Sequence, residues 1–337
     1  MKAFEYARAK TIEETQLLLS HRESGDVRLL AGGTDLLTLM KARINTPIEL
    51  VDIKRVDALP KSIEEKEDGV TLGALTTLAE IEQSTLLQKK YTALSQAAGL
   101  AATPQLRNMA TIGGNLLQRP RCWYFRNSHV DCWLKGGEEC PARDGQNQFH
   151  ALFGNSPCVA VHPSDLASAL LAMGASVHLT SSAGERTVPL TEFFALPTEE
   201  RRTETVISQD EIVTSVHVPL VSKSSGGSKS SGGNTVRSVY LKAMDRNVWA
   251  FALVGVAAVV QMEEDTLTDV RLVLSGVAPI PWRVTAAETV LRGQVANDEN
   301  FIKAATVALA EAEALTHNEY KITLAQNLIR RALRMVS

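Results

Sequence analysis

Apolar and polar positions change period several times along the chain. Ala3 to Leu19 mixes a short strand pattern with an amphipathic helix, and Thr11 with Glu14 fits the S/T-x-x-E capping box at its start. Val27-Arg28-Leu29-Leu30 reads as a strand, broken by Ala31-Gly32-Gly33-Thr34-Asp35. A helix follows over Leu36 to Ala42, then a strand at Glu49 to Ile53, so the opening reads as a small α/β unit. Val70 to Ala74 is strand-like. Leu78 to Leu87 and Tyr91 to Ala101 read as helices, the second ending before Pro104. From Gln118 to about Pro157 the periodicity fades, and so long an irregular stretch in a compact domain points to function. Order resumes at Asp165–Leu170 and Ser176–Thr180. Strands are expected at Val236–Lys242 and Val270–Leu274, and alanine-rich helices at Phe301–Leu315 and Thr323–Met335.

The most apolar run, Trp249 to Gln261, is shorter than the ~20 residues that cross a bilayer, so it reads as a core strand or helix. No signal-peptide pattern opens the chain, and a cytoplasmic location is expected unless a signal-bearing partner carries the folded protein across a membrane. The segment 222–234 is Ser/Gly-rich and reads as a linker. Its Gly-Ser-Lys-Ser lacks the spacing of a phosphate loop. With 337 residues, 45% hydrophobic and 22% charged, the chain has material for two or three ordinary globular domains. A net charge of −3 argues against nucleic acid as a partner.

Three short elements carry candidate chemistry. Ala31-Gly32-Gly33-Thr34-Asp35 lies between a strand and a helix, where paired glycines let backbone N–H groups approach an anion. A plain strand–helix turn explains it about as well. Thr111-Ile112-Gly113-Gly114-Asn115 follows the same logic, against a glycine bulge in a strand. In His162-Pro163-Ser164-Asp165, Ser164 or Asp165 suits a helix N-cap. The Rossmann G-x-G-x-x-G is absent.

In order and spacing, LLAGGTDLLTLMK, ATIGGNLL and HPSDLASAL resemble the FAD-binding subunits of the xanthine dehydrogenase and carbon monoxide dehydrogenase family. Tyr240-Leu241-Lys242 with AFALVGVAA, and Leu274 to Arg283, extend the resemblance over nearly the whole chain. It implies an α+β protein: a PCMH-type FAD domain of two α/β subdomains (1–54 and 55–221), then the linker and a smaller α+β domain (235–337). It also implies site residues. Leu30, Ala31, Gly32, Gly33, Thr34, Asp35 and Leu36 would wrap the FAD pyrophosphate, with Thr111, Gly113, Gly114 and Asn115 as a second wall. Ser164 and Asp165 would bind the adenosine or ribityl side. Lys242 would lie near the flavin end, and Trp249 to Phe251 near the isoalloxazine.

All four cysteines, Cys122, Cys132, Cys140 and Cys158, fall in or beside the irregular stretch, with nine, seven and seventeen residues between them. Four thiolates can hold a [4Fe–4S] cluster or one zinc. The spacing lacks the C-x₂₋₄-C pairs usual for zinc, disulfides are disfavoured in the cytosol, and unligated core cysteines remain an alternative. His129 and His150 lie in the same stretch, where solvated histidines are the ordinary case. Arg330, Arg331 and Arg334 give the last helix a basic face, solvated or docked on a partner. Within the family, bacterial aldehyde oxidoreductase and 4-hydroxybenzoyl-CoA reductase FAD subunits carry a [4Fe–4S] loop at this place, and the loop 118–158 is similar to the former. The resemblance therefore implies an electron-transfer subunit with FAD and a [4Fe–4S] cluster. It would work with a molybdenum-cofactor subunit, a [2Fe–2S] subunit and an external electron acceptor, and would need no catalytic acid, base or nucleophile of its own. A self-contained flavoprotein oxidase and a zinc-stabilised interaction module are the competing readings.

Overall fold

The computed structural model describes residues 1–21, 23, 25–154, 156–220 and 235–337, so the linker expected at 222–234 lies outside the described residues. Three sheets organise the chain, and the fold is mixed α+β.

The first region runs β1 (Glu5–Arg8), α1 (Ile12–Ser20), β2 (Val27–Leu30), α2 (Leu36–Lys41) and β3 (Glu49–Asp52). Its strands are parallel in the order β1-β3-β2, with Leu30 opposite Asp52. Ligands of open parallel sheets bind outside the carboxyl ends of the strands, and Ala31-Gly32-Gly33 leaves from that end. Thr11 caps α1 through Glu14 N–H, but the Glu14 carboxylate accepts from Lys10 N–H rather than from Thr11, so the expected capping box is shifted by one residue.

The second region holds β4 (Ile63–Lys66), β5 (Gly69–Gly73), α3 (Leu78–Gln83), α4 (Thr85–Lys90), α5 (Thr92–Leu100), α6 (Pro104–Arg107) and α7 (Ile112–Leu116). After the cysteine-bearing stretch come α8 (Asp165–Ala172), β6 (Ser176–Ser181), β7 (Gly184–Pro189), α9 (Leu190–Phe193) and β8 (Ile212–Pro219). The strands form an antiparallel sheet in the order β4-β5-β8-β6-β7. The helix expected over Leu78–Leu87 is two helices, because Ser84 is extended and its side chain caps the second through Leu87 N–H.

The third region is an antiparallel sheet, β9 (Thr235–Ala243), β10 (Val254–Glu263), β11 (Thr266–Ser275) and β12 (Trp282–Arg283), followed by α10 (Thr285–Leu291), α11 (Asp298–Ala308) and α12 (Tyr320–Val336). Helices α5 and α8 pack against one face of this sheet and α12 against the other. Val254 to Val260 of β10 are buried throughout, which explains an apolar run without alternation. No helix among the described residues is long and apolar enough to cross a membrane.

Among its described residues the cysteine stretch has one 3-10 turn, Trp133–Lys135. Side chains replace the missing ladders. Lys135 Nζ donates to Tyr124 O at 3.2 Å and Val130 O at 2.8 Å, and Arg202 donates to Trp133 O and Gly137 O at 2.7 and 2.8 Å. The start of α12 clamps its far end. Lys321 Nζ donates to His150 O and Gly276 O, Asn318 Nδ2 to His150 O and Ala151 O, and Tyr320 Oη to Gln148 O. Lys321 is fully buried, and burial lowers its pKa to about 7.

Candidate functional site

Two cavities share His162 as a wall residue. The larger, about 400 Å³, opens at the carboxyl end of β2 and β3. Ala31 to Leu36 form one wall, Thr111, Gly113 and Gly114 another, and Thr203 to Thr205 a third.

The two glycine pairs differ in what their amides do. No hydrogen bond among the described residues takes up the N–H groups of Gly32, Gly33, Thr34, Asp35 or Leu36. Gly33 has φ +71, which favours glycine, and a Cβ on Gly32 would lie 1.9 Å from Met109 O. In the second pair, Ile112 N–H donates to Thr76 O, Gly113 N–H to Ala74 O and Gly114 N–H to Thr111 Oγ1. That segment is the capped start of α7, neither a bulge nor a nest of free amides. A Cβ on Gly114 would meet only Thr111 Oγ1, at 3.2 Å, so this position faces open space.

The walls of the larger cavity carry charges of both signs, with Asp35, Glu204 and Glu211 beside two arginines. Arg28 and Arg119 both line it, and Arg28 is held below its ordinary pKa by burial and by the like charge of Arg119. Neither arginine was singled out in the sequence, because each becomes a cleft residue only when distant segments meet.

Asp35 faces the cysteine stretch. It accepts from Arg119 N–H at 2.9 Å, pairs with Arg121 at 2.9 Å and with Arg126 at 2.8 Å. Leu30 ends β2 behind the turn. Asn115 and Ser164 bond to each other, and Ser164 Oγ caps α8 by accepting from Ala167 N–H, so neither lines either cavity. Asp165 lines the smaller cavity with both oxygens engaged, one by Tyr240 Oη and the other by Lys242 Nζ at 2.7 Å. Lys242 also donates to Leu100 O. The resemblance implied that Asp165 binds the adenosine or ribityl side of FAD. The geometry makes it the hub of a buried network joining α8 to β9, with Tyr240 donating from β9 and bonded in turn to Ser275. Sequence offered no signal for Tyr240 in this role.

The smaller cavity, about 200 Å³, is lined by Arg121, Cys122, Trp123, His150, Asp165 and Phe251 among others. Phe251 therefore lines it, whereas Ala250 is buried and Trp249 is 58% exposed at φ +58. His162 is buried, accepts from Ser164 N–H at Nδ1, and stands edge-on to Phe194; burial lowers its pKa to about 3.

Ala160 N–H donates to Cys158 Sγ at 3.4 Å. Burial pushes the Cys122 thiol up to about 11, and the charges of Cys132 and Cys140 add to the rise. A hydrogen bond between Cys140 and Cys158 lowers the first and raises the second. His150 Nε2 lies 3.2 Å from Cys122 Sγ, while His129 sits exposed. Among the described residues, no three His, Cys, Asp or Glu side chains are grouped around a single metal-ion position.

Residues 2–221 match the FAD binding domain in molybdopterin dehydrogenase, and residues 239–336 match the CO dehydrogenase flavoprotein C-terminal domain. The aldehyde oxidoreductase FAD-binding subunit PaoB of Escherichia coli (strain K12) is 34% identical over 334 residues, covering 98% of this chain and 96% of PaoB. The chain belongs to the FAD-binding subunits of the molybdenum hydroxylases. Another relative, the carbon monoxide dehydrogenase medium chain of Hydrogenophaga pseudoflava, is 29% identical over 98% of this chain and 96% of its own length. The solved carbon monoxide dehydrogenase from that organism, lacking the Mo-pyranopterin moiety, matches 99% of this chain and 97% of its own at a TM-score of 0.75 and 28% identity. This family member is thus an oxidoreductase subunit with an FAD-binding domain.

Proposed function

We propose that this subunit holds FAD across the two cavities that border His162 and a [4Fe–4S] cluster on Cys122, Cys132, Cys140 and Cys158. It would take electrons from a molybdenum-cofactor subunit and a [2Fe–2S] subunit and deliver them to an external acceptor. The observation that carries the reading is the placement of Cys122. It stands in the wall of the smaller cavity, which shares His162 with the wall of the glycine-lined cleft.

The unshared amides of Gly32 to Leu36, with Thr34, would face the FAD pyrophosphate. Thr111, Gly113 and Gly114 would form the opposite wall through shape, since their amides are spent internally. Asp165 and Lys242 would fix the floor of the smaller cavity, and Leu30, Asn115 and Ser164 would support these walls from behind. Bound FAD supplies both one- and two-electron exchange, which joins one-electron carriers to a two-electron acceptor.

The pKa values of Cys122 and Cys132 are raised by burial and that of Cys158 by its bond to Cys140, whose charge adds to all three rises, and a cationic cluster removes that conflict. The Ala160 amide on Cys158 favours its thiolate. A [4Fe–4S] cube takes one sulfur per iron, so the sulfurs need not converge on one ion as zinc would require. The full chain, purified anaerobically, is expected to carry FAD and about four irons, and to oxidise no aldehyde or purine alone. Iron-free protein with four titratable thiols, or with stoichiometric zinc, would remove the cluster. Turnover by the single chain would remove the subunit reading.

A further inference from the structure

Arg119 stands between two walls of the larger cavity and holds both. On the glycine-turn side its backbone N–H donates to Asp35 Oδ2 at 2.9 Å. On the opposite side its Nε lies 3.1 Å from Glu204 Oε2, and a terminal nitrogen donates to Arg202 O at 3.1 Å. Its guanidinium also lies over the Phe125 ring, 5.2 Å from the centroid. Asp35, Arg119 and Glu204 all line the cavity, and Glu204 is only 4% exposed. A buried ion pair in which one partner is removed leaves an uncompensated charge, so either residue alone has reason to shift its wall.

We propose that Arg119 is a positioning residue, a strut that fixes the width of the flavin cleft by joining the Asp35 wall to the Glu204 wall. The inference rests on the placement of FAD in this cleft given above. It assigns Glu204 a role that works through Arg119. An Arg119 that simply bound phosphate would behave oppositely, because neutralising Glu204 would release its positive charge and tighten FAD.

The test is titration of FAD into deflavinated full chain, followed by flavin fluorescence, with circular dichroism to verify the fold of each variant. Glu204→Gln is expected to weaken FAD by about tenfold, a loss within the usual range for coupled neighbours. Arg119→Gln should lose at least as much, and Arg119→Lys should recover part of it. In the Arg119→Gln background, adding Glu204→Gln should change affinity by less than about twofold. Should Glu204→Gln fail to fold, Glu204→Asp shortens the arm and takes its place with the same expected direction. Unchanged or tighter FAD in folded Glu204→Gln overturns the strut, and so do losses that multiply in full. Gly114→Val separates the two levels. If it binds FAD undiminished, the cleft placement falls and the strut with it. If it loses FAD while Glu204→Gln does not, the strut alone falls.

Discussion

The two glycine pairs face one cleft and are alike in sequence, yet they meet an anion with different resources. The Gly32-Gly33 turn leaves a run of backbone N–H groups without partners among the described residues, whereas the Gly113-Gly114 amides are consumed by Ala74 O and Thr111 Oγ1. The Gly32-Gly33 pair is also locked from behind, by Met109 O against Gly32, while the other pair opens onto free space at Gly114. Paired glycines between a strand or turn and a helix therefore do not by themselves define a nest of donors. The cap decides: α2 begins at Asp35 with no side-chain cap, and α7 begins at a threonine that takes the amide itself.

Three substitutions probe that contrast. The largest effect is expected for Gly32→Ala, whose methyl group must displace the Met109 backbone. We expect a loss of about 3 kcal/mol in the urea stability of flavin-free protein, together with loss of bound flavin; wild-type stability would mean that the turn is not locked from behind. Next, Gly114→Val should leave flavin-free stability within about 1 kcal/mol while FAD affinity falls by about tenfold or more, roughly 1.4 kcal/mol. A stability loss as large as that of Gly32→Ala would erase the distinction between the pairs. The smallest change is Thr111→Ala. Removing the cap should cost about 1 kcal/mol in the same melt and shift FAD affinity by less than about twofold, because the Gly114 amide is released rather than lost. A tenfold loss of FAD there would give the Thr111 hydroxyl a direct contact.

Much of the scaffold was legible from pattern alone. The strand–glycine–helix order at Val27–Lys41 and the helix after Ser164 follow from local rules of periodicity and capping. The segment Ile112–Leu116 did not reveal itself as helix, since paired glycines argue against helix and only the Thr111 cap outweighs them. Helix α10 also passed unnoticed, since it has no side-chain cap to mark its start. At the site, local sequence drew attention to glycines that line the cleft, but it does not show how the polar residues beside them are paired. Asp35, Asp165 and Asn115 are each engaged by residues far along the chain: Arg126, Lys242 and Ser164. Those partnerships depend on tertiary contact, which no local window contains.

The clamp from α12 onto the cysteine stretch has a consequence for how the protein is made. Cys158, the last of the four cysteines, is synthesised well before Lys321, whose ammonium holds His150 O and Gly276 O in place. At about 5–20 residues per second, the ribosome needs on the order of 10 s to travel between them. Throughout that interval the nascent cysteine segment lacks the buried lysine and asparagine that later fix its end. Docking of the far end of this segment therefore waits until the start of α12 has been made, and a chain truncated before α12 would leave Gln148 to Ala151 without their clamp.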